Sequence, residues 1–237
     1  MSTAIIIGAE NSISGALAER YRREFDKVYI SDIQSSRASN DAERHGITAV
    51  PLNINVLNES DVTRLFDYAD YDHVAVCVGG GSFNLLSATS AIDLVRAFEL
   101  NCVSAHNILR NFHSSLVITK KKGDAVLVSS INSINIEKGL GGYSVGKAAL
   151  ECLAKSSAIE YAPYMRVNCV RPGPISGKDS ELAALLKQES TKFNLLGDRL
   201  TLPVDVAAAS VCFHKHLTWV TGESLTVDGG LLLGNGS

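Results

Sequence analysis

A tyrosine and a lysine four residues apart are the first side chains in this sequence that could do chemistry. They lie in the stretch Tyr143-Ser144-Val145-Gly146-Lys147. On a helix, residues i and i+4 share a face, so the ammonium would lie near the phenol. A phenol with a pKa of about 10 is a poor base at neutral pH, and a neighbouring cation lowers that pKa toward a useful value. The same spacing is also typical of an ordinary surface contact, so the surrounding residues must decide.

Further polar residues precede and follow this pair. Ser130 ends an apolar run, and 143 − 130 = 13 residues separate it from Tyr143. Asn101 lies in an amphipathic segment, where a polar amide has weak helix preference. Pro172-Gly173 follows another apolar run. Each feature alone is common, and only their combination indicates a site.

Short apolar runs alternate with amphipathic segments along nearly the whole chain. The runs predict strands at Ala4–Ile7, Val28–Ile30, Val74–Val78, Ala125–Val128, Val167–Val170 and Leu225–Val227. The clearest helical pattern is one apolar stripe through Val95, Phe98, Cys102, Ala105, Leu109 and Phe112, which we expect to cover the sheet. Strands separated by helices predict the α/β class: a single doubly wound, Rossmann-like parallel sheet with helices on both faces.

We interpret residues 1–237 as one domain with an insertion at 172–203. This segment has a turn-rich opening, a predicted short helix from Ser180 to Lys192, and a polar connection. Long insertions in compact domains are often lids or binding loops, and an ordinary surface excursion is the alternative. We expect this segment to shape a substrate pocket.

The first predicted strand ends in a turn that could bind a phosphate. In doubly wound sheets the turn after the first strand commonly meets a dinucleotide, and glycines let the backbone approach it. Gly8 is present here, whereas Ser12 and Ser14 stand where further glycines are expected. Asp32 ends the second predicted strand, where a carboxylate can accept hydrogen bonds from the ribose of NAD and repel the 2′-phosphate of NADP. A plain turn and a helix-capping aspartate are the alternatives.

Taken in chain order, these features resemble the classical short-chain dehydrogenase/reductase family. The resemblance covers nearly the entire chain. It rests on Asp32, Asn101, Ser129-Ser130, Tyr143-x-x-x-Lys147, Arg166-Val167-Asn168, Pro172-Gly173 and the terminal Val227-Asp228-Gly229-Gly230. It implies an NAD-dependent oxidoreductase, with NADP the less favoured cofactor, that interconverts a small-molecule secondary alcohol and a ketone by hydride transfer.

The family resemblance also implies a role for each matching residue. Tyr143 would exchange a proton with the substrate oxygen, and Ser130 would orient that oxygen. Lys147 would hold the nicotinamide ribose and depress the pKa of Tyr143, while Asn101 would anchor a water that links Lys147 to solvent. The implied cofactor contacts are Gly8, Ser12, Ile13, Asp32, Asn53, Ile54, Gly79, Tyr143, Lys147, Pro172, Gly173 and Ile175. No metal is required.

The sequence departs from the family pattern on the cofactor side. Besides the two serines, the Asn-Asn-Ala-Gly stretch of the family is replaced by residues around Val76 to Gly81, and Ser176-Gly177 stands in place of a threonine. A catalytically silent dinucleotide-binding sensor or scaffold on the same fold is therefore the alternative function. An extended-family epimerase or dehydratase is disfavoured, because only seven residues follow Gly230.

Composition narrows the remaining classes. The formal charge is 22 − 25 = −3, which gives no electrostatic footprint for nucleic acid or anionic membrane. We find neither a signal-peptide pattern nor an apolar run long enough to span a membrane, and five scattered cysteines favour a reducing cytoplasm. The amphipathic stripe and the run Leu231 to Leu233 predict a homo-oligomer, a tetramer or dimer. These leucines could instead complete the core.

Overall fold

The computed structural model describes residues 1–176, 194–197 and 199–234. The strands within these ranges are β1 Thr3–Ile7, β2 Lys27–Asp32, β3 Thr48–Asn53, β4 His73–Val76, β5 Gly123–Val128, β6 Met165–Pro172 and β7 Ser224–Val227. The helices are α1 Ser12–Glu24, α2 Ser35–His45, α3 Glu59–Tyr68, α4 Ala91–Phe98, α5 Ser104–Thr119, α6 Gly141–Glu160, α7 Pro203–Val211 and α8 Leu231–Gly234.

The described strands form one parallel sheet in the order β3-β2-β1-β4-β5-β6-β7. This order reverses direction between β1 and β4, and ligands of open α/β sheets bind at such a switch point, beyond the carboxyl ends of the strands. The prediction of a doubly wound, Rossmann-like parallel sheet is confirmed. The sequence patterns missed β3, an edge strand that contains Pro51, because proline weakens a strand signal and is tolerated only at an edge.

The core lies on both faces of the sheet because β1 is buried along its whole length. Ile5 and Ile7 face one layer, which includes residues of α3, α5 and α6, whereas Ala4 and Ile6 face a second layer with residues of α1, α2 and α7. A strand covered on both faces needs a continuous apolar run rather than an alternating one. This burial fixes the carboxyl end of β1, and hence Gly8, at the centre of the molecule.

The predicted stripe from Val95 to Phe112 covers the sheet only in its second half. A π-helical turn, Glu99–Val103, separates α4 from α5. Leu109 and Phe112 are buried on the sheet, whereas Val95 is 51% exposed. The wider turn changes the phase of the helix, so that α4 packs against α6 instead of the strands. The expectation that the entire stripe covers the sheet is therefore wrong for α4.

The two ends of the segment after β6 lie side by side. Ile175 forms an isolated parallel bridge with Thr201. The helix predicted from Ser180 to Lys192 lies outside the described residues, and the boundaries of the single domain and its insertion stay predictions. Near the other end of the described chain, Leu231 is buried and Leu233 is 77% exposed, so the leucine run is shared between core and surface. Among the described residues, no helix is long and apolar enough to cross a membrane.

Candidate active site

A cleft of about 550 Å³ lies beyond the carboxyl ends of the central strands. It brings together many residues that the sequence singled out: Ser12, Ile13, Gly79, Ser130, Tyr143, Lys147, Pro172, Gly173 and Ile175. Residues that the sequence did not single out also line it, including Asn11, Cys77 and Val128. They follow the ends of β1 and β4 or end β5, so the strand pattern itself could have indicated them.

Helix α6 presents Tyr143 and Lys147 to the cleft from its first two turns. The helix begins at Gly141, so both side chains project near its N-terminus. The Ser130 side chain, two residues beyond β5, lines the cleft together with Tyr143. Burial raises the pKa of Tyr143, and the Ser130 hydroxyl, as a hydrogen-bond donor to the phenolate, offsets part of this rise. The phenol is therefore protonated at neutral pH and can donate a proton to an oxygen.

Lys147 is buried on α6, one turn after Tyr143. Its Nζ donates a hydrogen bond to the Val128 carbonyl over 2.7 Å and lies 5.7 Å from the centroid of the Tyr143 ring. Burial lowers the pKa of Lys147 to about 8, although the nearby Glu151 carboxylate acts in the opposite direction. The ammonium is thus held with few competing partners, where its charge acts strongly on its neighbours.

Asn101 lies in the π-helical turn and holds the loop that follows β4. Its Nδ2 donates to the carbonyls of Gly80 and Ala97 over 2.7 and 2.8 Å, and its Oδ1 accepts from the Gly80 amide over 3.2 Å. Turns of this kind are frequent at functional sites. The side chain of Asn101 therefore positions the loop. Its expected part in a water-mediated relay stays a prediction.

A second pocket, of about 170 Å³, adjoins the end of β2. Gly8, Asp32 and Ile54 line it together. The Asp32 carboxylate accepts hydrogen bonds from the amides of Ala9 and Gln34 over 2.9 and 3.1 Å, and each oxygen keeps capacity for another donor. Asn53 is predicted here but lines neither pocket; its Oδ1 accepts from the Ser35 amide instead.

The turn between β1 and α1 shows how serine replaces glycine. Asn11 caps α1 by accepting from the amides of Ile13 and Ser14 over 3.1 and 2.8 Å. The Ser14 hydroxyl accepts a hydrogen bond from the Asn11 amide, and this second bond completes a capping box. Ser14 is fully buried, so a small residue is required there, whereas Ser12 is exposed at the start of the helix. The helix N-terminus keeps the polarity that favours an anion.

A group that could hold a metal lies at the amino ends of the central strands, opposite the cleft. His73, Asp124 and His214 place one ligand atom each within 4.8 Å of one another, the one such grouping among the described residues. The Arg166 guanidinium donates to the same Asp124 carboxylate over 3.0 Å, and Tyr21 pairs with His214. The Arg166 guanidinium already balances the charge of the Asp124 carboxylate, and His214 already has a hydrogen-bond partner in Tyr21. These residues therefore fit a structural hydrogen-bond network.

Comparison with known proteins identifies the family. A family model described as enoyl-(acyl carrier protein) reductase matches residues 8–232. An uncharacterized oxidoreductase of Mycobacterium tuberculosis is 29% identical, and the match covers 98% of this chain and 92% of that protein. Glucose 1-dehydrogenase 2 of Bacillus subtilis is 25% identical, with 98% and 95% coverage. A 7α-hydroxysteroid dehydrogenase, whose solved structure holds NADH and 7-oxo glycochenodeoxycholic acid, is 24% identical, with a TM-score of 0.86 and coverage of 97% of this chain and 93% of that chain.

The chain belongs to the short-chain dehydrogenase/reductase family, a family of oxidoreductases. The match extends from the Gly8 turn to Leu232, and the resemblance deduced from the ordered motifs is confirmed. The 7α-hydroxysteroid dehydrogenase supports the fold alone. The substrates of these relatives are properties of those proteins.

Gly79 gives a direct test of this packing. A Cβ at this position would lie 2.7 Å from both Lys147 Nζ and Asn101 Oδ1, and its φ of 157° disfavours a side chain. We expect Gly79→Ala to lower the free energy of unfolding by about 1–3 kcal/mol, because two buried polar groups must move. Urea denaturation measures this change.

The matched control is Gly142→Ala in α6, where a Cβ would meet its nearest neighbours, Ala97 and Leu94 of α4, only at 3.9 Å. It should leave the stability unchanged or raise it by up to about 1 kcal/mol, since alanine favours helix. Equal stability of Gly79→Ala and the unchanged protein would contradict the packing described for Lys147.

Proposed function

We propose that this protein is an NAD-dependent oxidoreductase that interconverts a secondary alcohol and a ketone, with Tyr143 as its acid and base. One observation carries the proposal. The Tyr143 phenol and the Ser130 hydroxyl line the same cleft, which is open to a small molecule, and the buried Lys147 ammonium lies close to the Tyr143 ring. A small-molecule alcohol or ketone is the expected partner. Five free cysteines among the described residues agree with a cytoplasmic location.

The residues that line the two pockets fit a nicotinamide dinucleotide. Ser12 and Ile13, at the N-terminus of α1, offer a polar site for the pyrophosphate. Gly8, Asp32 and Ile54 would bind the adenosine end. At the other end, Gly79 leaves open the space in front of Lys147 and Asn101, and Pro172, Gly173 and Ile175 line the remaining wall. When bound, the nicotinamide ring would supply or accept the hydride.

The chain's own residues would manage the charge on the substrate oxygen. As a ketone is reduced, negative charge grows on its oxygen, and positioned donors stabilise that charge. Tyr143 would donate a proton to the oxygen, while the Ser130 hydroxyl would hold the oxygen in place by a second hydrogen bond. Ser130 is buried, and Tyr143 lies on a helix whose inner face is buried at Ser144 and Lys147, so little reorganisation is needed at the moment of reaction.

Alcohol oxidation makes the opposite demand on Tyr143. The phenol must then lose its proton, yet burial raises its pKa. The Lys147 ammonium, 5.7 Å from the ring centroid, would favour the phenolate, and the burial of Lys147 limits the screening of its charge by water. We therefore assign Lys147 two roles: stabilising the phenolate and binding the nicotinamide ribose.

Tyr143→Phe separates an enzyme from a silent sensor. The variant keeps the ring but loses the proton, so we expect turnover to fall by at least about 100-fold while NADH affinity stays within about threefold. Steady-state rates on a panel of secondary alcohols and ketones measure the first quantity, and NADH fluorescence titration measures the second.

The control is Tyr68→Phe, at an exposed tyrosine on α3 far from the cleft. It should retain full turnover. Undiminished turnover in Tyr143→Phe would contradict the assigned role. Tight NADH binding by the unchanged protein, without turnover of any substrate, would favour the sensor.

Two carboxylates support the preference for NAD. Asp32 adjoins the pocket assigned to the adenosine, where it would accept ribose hydroxyls and repel a 2′-phosphate. Glu10 lies in the neighbouring turn, and its carboxylate engages Arg37 Nε at 3.4 Å and Asn40 Nδ2 at 3.0 Å. A cation that could attract the 2′-phosphate is thus already paired with an acid.

Thermal-shift titration tests this preference. At a hundredfold excess over its dissociation constant, NADH should stabilise the protein by about 2.7 kcal/mol, and the same NADPH concentration should do less. We expect Asp32→Ala to reverse the order, because it removes both the ribose acceptor and the repulsion. Each variant is compared with its own ligand-free melting temperature.

The control is Asp67→Ala, which makes the same charge change on α3. It should keep the NADH preference of the unchanged protein. A larger response to NADPH than to NADH in the unchanged protein would overturn the cofactor assignment and leave the reductase chemistry open.

We also propose that the protein is a homo-oligomer, a tetramer or a dimer. Helix α4 has no buried residue, and Ile92, Val95 and Phe98 are exposed on it. Such an apolar surface is costly in water and is typical of an interface. Light scattering at micromolar protein should give the mass of a dimer or tetramer. The mass of a single 25.3 kDa chain would contradict this proposal.

A further inference from the structure

A buried ion pair lies directly behind the cleft. Glu151 on α6 is one turn beyond Lys147, and Arg171 lies near the end of β6, next to Pro172. Arg171 donates from Nη2 to Glu151 Oε2 over 2.5 Å and from Nε to Oε1 over 2.9 Å. The side chains are only 13% and 9% exposed. Such a two-bond pairing fixes both position and orientation.

The same carboxylate also holds the segment that carries Ser130. Glu151 Oε1 accepts from the Ser129 hydroxyl over 2.7 Å, and the Ser133 hydroxyl lies 2.6 Å from it. The Ser133 hydroxyl is also 2.8 Å from the Ser130 carbonyl. Glu151 therefore restrains the residue before Ser130 and the turn after it.

Arg171 extends the network to the far edge of the sheet. Its Nη1 donates to Thr226 Oγ1 on β7 over 2.9 Å. The chain beyond Arg171 is Pro172-Gly173, which lines the cleft where the nicotinamide is expected. One carboxylate thus links the helix of Tyr143, the segment of Ser130 and the strand that leads to the cofactor wall.

Stability alone is a weak reason to bury this pair. Removing two charges from water is costly, and a buried ion pair is often no more stabilising than well-packed apolar residues. Its geometric role is more distinctive, because its hydrogen bonds converge from separate elements on one carboxylate. Fixed catalytic geometry requires restraints of this kind around the reacting groups.

We propose that Glu151 is a positioning residue, whose carboxylate sets the placement of Ser130 relative to Tyr143 and couples it to the cofactor wall at Pro172-Gly173. The proposal rests on the function proposed above. Two consequences for Tyr143 follow if the carboxylate loses its charge. A displaced Ser130 would no longer lower the pKa of the phenol, and Lys147 would lose a neighbour that favours its charged form.

Glu151→Gln is the variant of choice because it keeps the shape of the side chain. One of its two carboxylate oxygens becomes an amide nitrogen, so a donor would face the Arg171 donors. With tyrosine labelled with 13C at the phenol carbon, the NMR signal of Tyr143 is assigned by its loss in Tyr143→Phe. We expect this signal to shift in Glu151→Gln and to begin its alkaline titration about half a pH unit or more later.

Turnover provides the second readout. Once a substrate has been found, Glu151→Gln should lower kcat by about tenfold or more, while the NADH dissociation constant changes by less than about threefold. The NMR readout needs no substrate. It therefore decides the role of Glu151 even if the unchanged protein turns over no alcohol or ketone, an outcome that would count against the proposed function alone.

A second ion pair, with a buried carboxylate and a partly buried guanidinium, supplies the matched control. Arg166 and Asp124 join the amino-terminal ends of β6 and β5, with Nη2 and Oδ2 3.0 Å apart, whereas Arg171 lies near the carboxyl end of the same β6. Asp124→Asn should lower stability, yet leave the Tyr143 signal unchanged. If Glu151→Gln does not fold, Ser133→Ala removes only one hydroxyl of the network and should move the signal in the same direction by less.

Three results would overturn the proposal. The first is a Tyr143 signal in folded Glu151→Gln that titrates as in the unchanged protein. The second is a Tyr143 signal whose titration is delayed equally in Asp124→Asn, because that would indicate a general effect of lost stability. The third, if Glu151→Gln does not fold, is an unmoved signal in Ser133→Ala.

Discussion

The buried ammonium of Lys147 is the constraint on which the rest of the site depends. Lysine is rarely buried without partners, because its charge loses the stabilisation of water. Here a single carbonyl, that of Val128, accepts its hydrogen bond in the described structure, and burial brings its pKa down to about 8. Gly79 leaves space for the ammonium and Asn101 holds the loop on which Gly79 lies. In the proposed mechanism, the acid–base chemistry of Tyr143 follows from the charge beside it.

The two ends of the same strands are used for different purposes. Near the carboxyl end of β6, Arg171 pairs with Glu151 of α6, and the pair connects the elements that carry the proposed reacting groups. At the amino ends, Asp124 and Arg166 form a network with two histidines and contact no residue of the cleft. Open parallel sheets generally place ligands beyond the carboxyl ends, which agrees with the positioning role proposed for Glu151 at that end.

Local patterns predicted most of the fold and several of the residues that line the cleft. Continuous apolar runs are what strands buried on both faces require, and the four-residue spacing of Tyr143 and Lys147 placed them on one helix face. Long-range or irregular features escaped this reasoning. The strand with Pro51 lacks a clean pattern, and the π-helical turn shifts the phase of a regular stripe. The pairing of Glu151 with Arg171 joins residues that come together only through the order of the strands.

The most direct test of the central role of Lys147 is the pH dependence of NADH binding. Charge-assisted hydrogen bonds are about twice as strong as neutral ones, so the ammonium should bind the cofactor better than the free amine. Fluorescence titration should give a dissociation constant that is flat at lower pH and rises above the pKa of about 8, by at most about tenfold per pH unit. Lys147→Met should bind weakly with no such rise, whereas Lys155→Met, at an exposed lysine of the same helix, should keep it. A flat profile in the unchanged protein, or the same rise in Lys147→Met, would contradict the role assigned to Lys147.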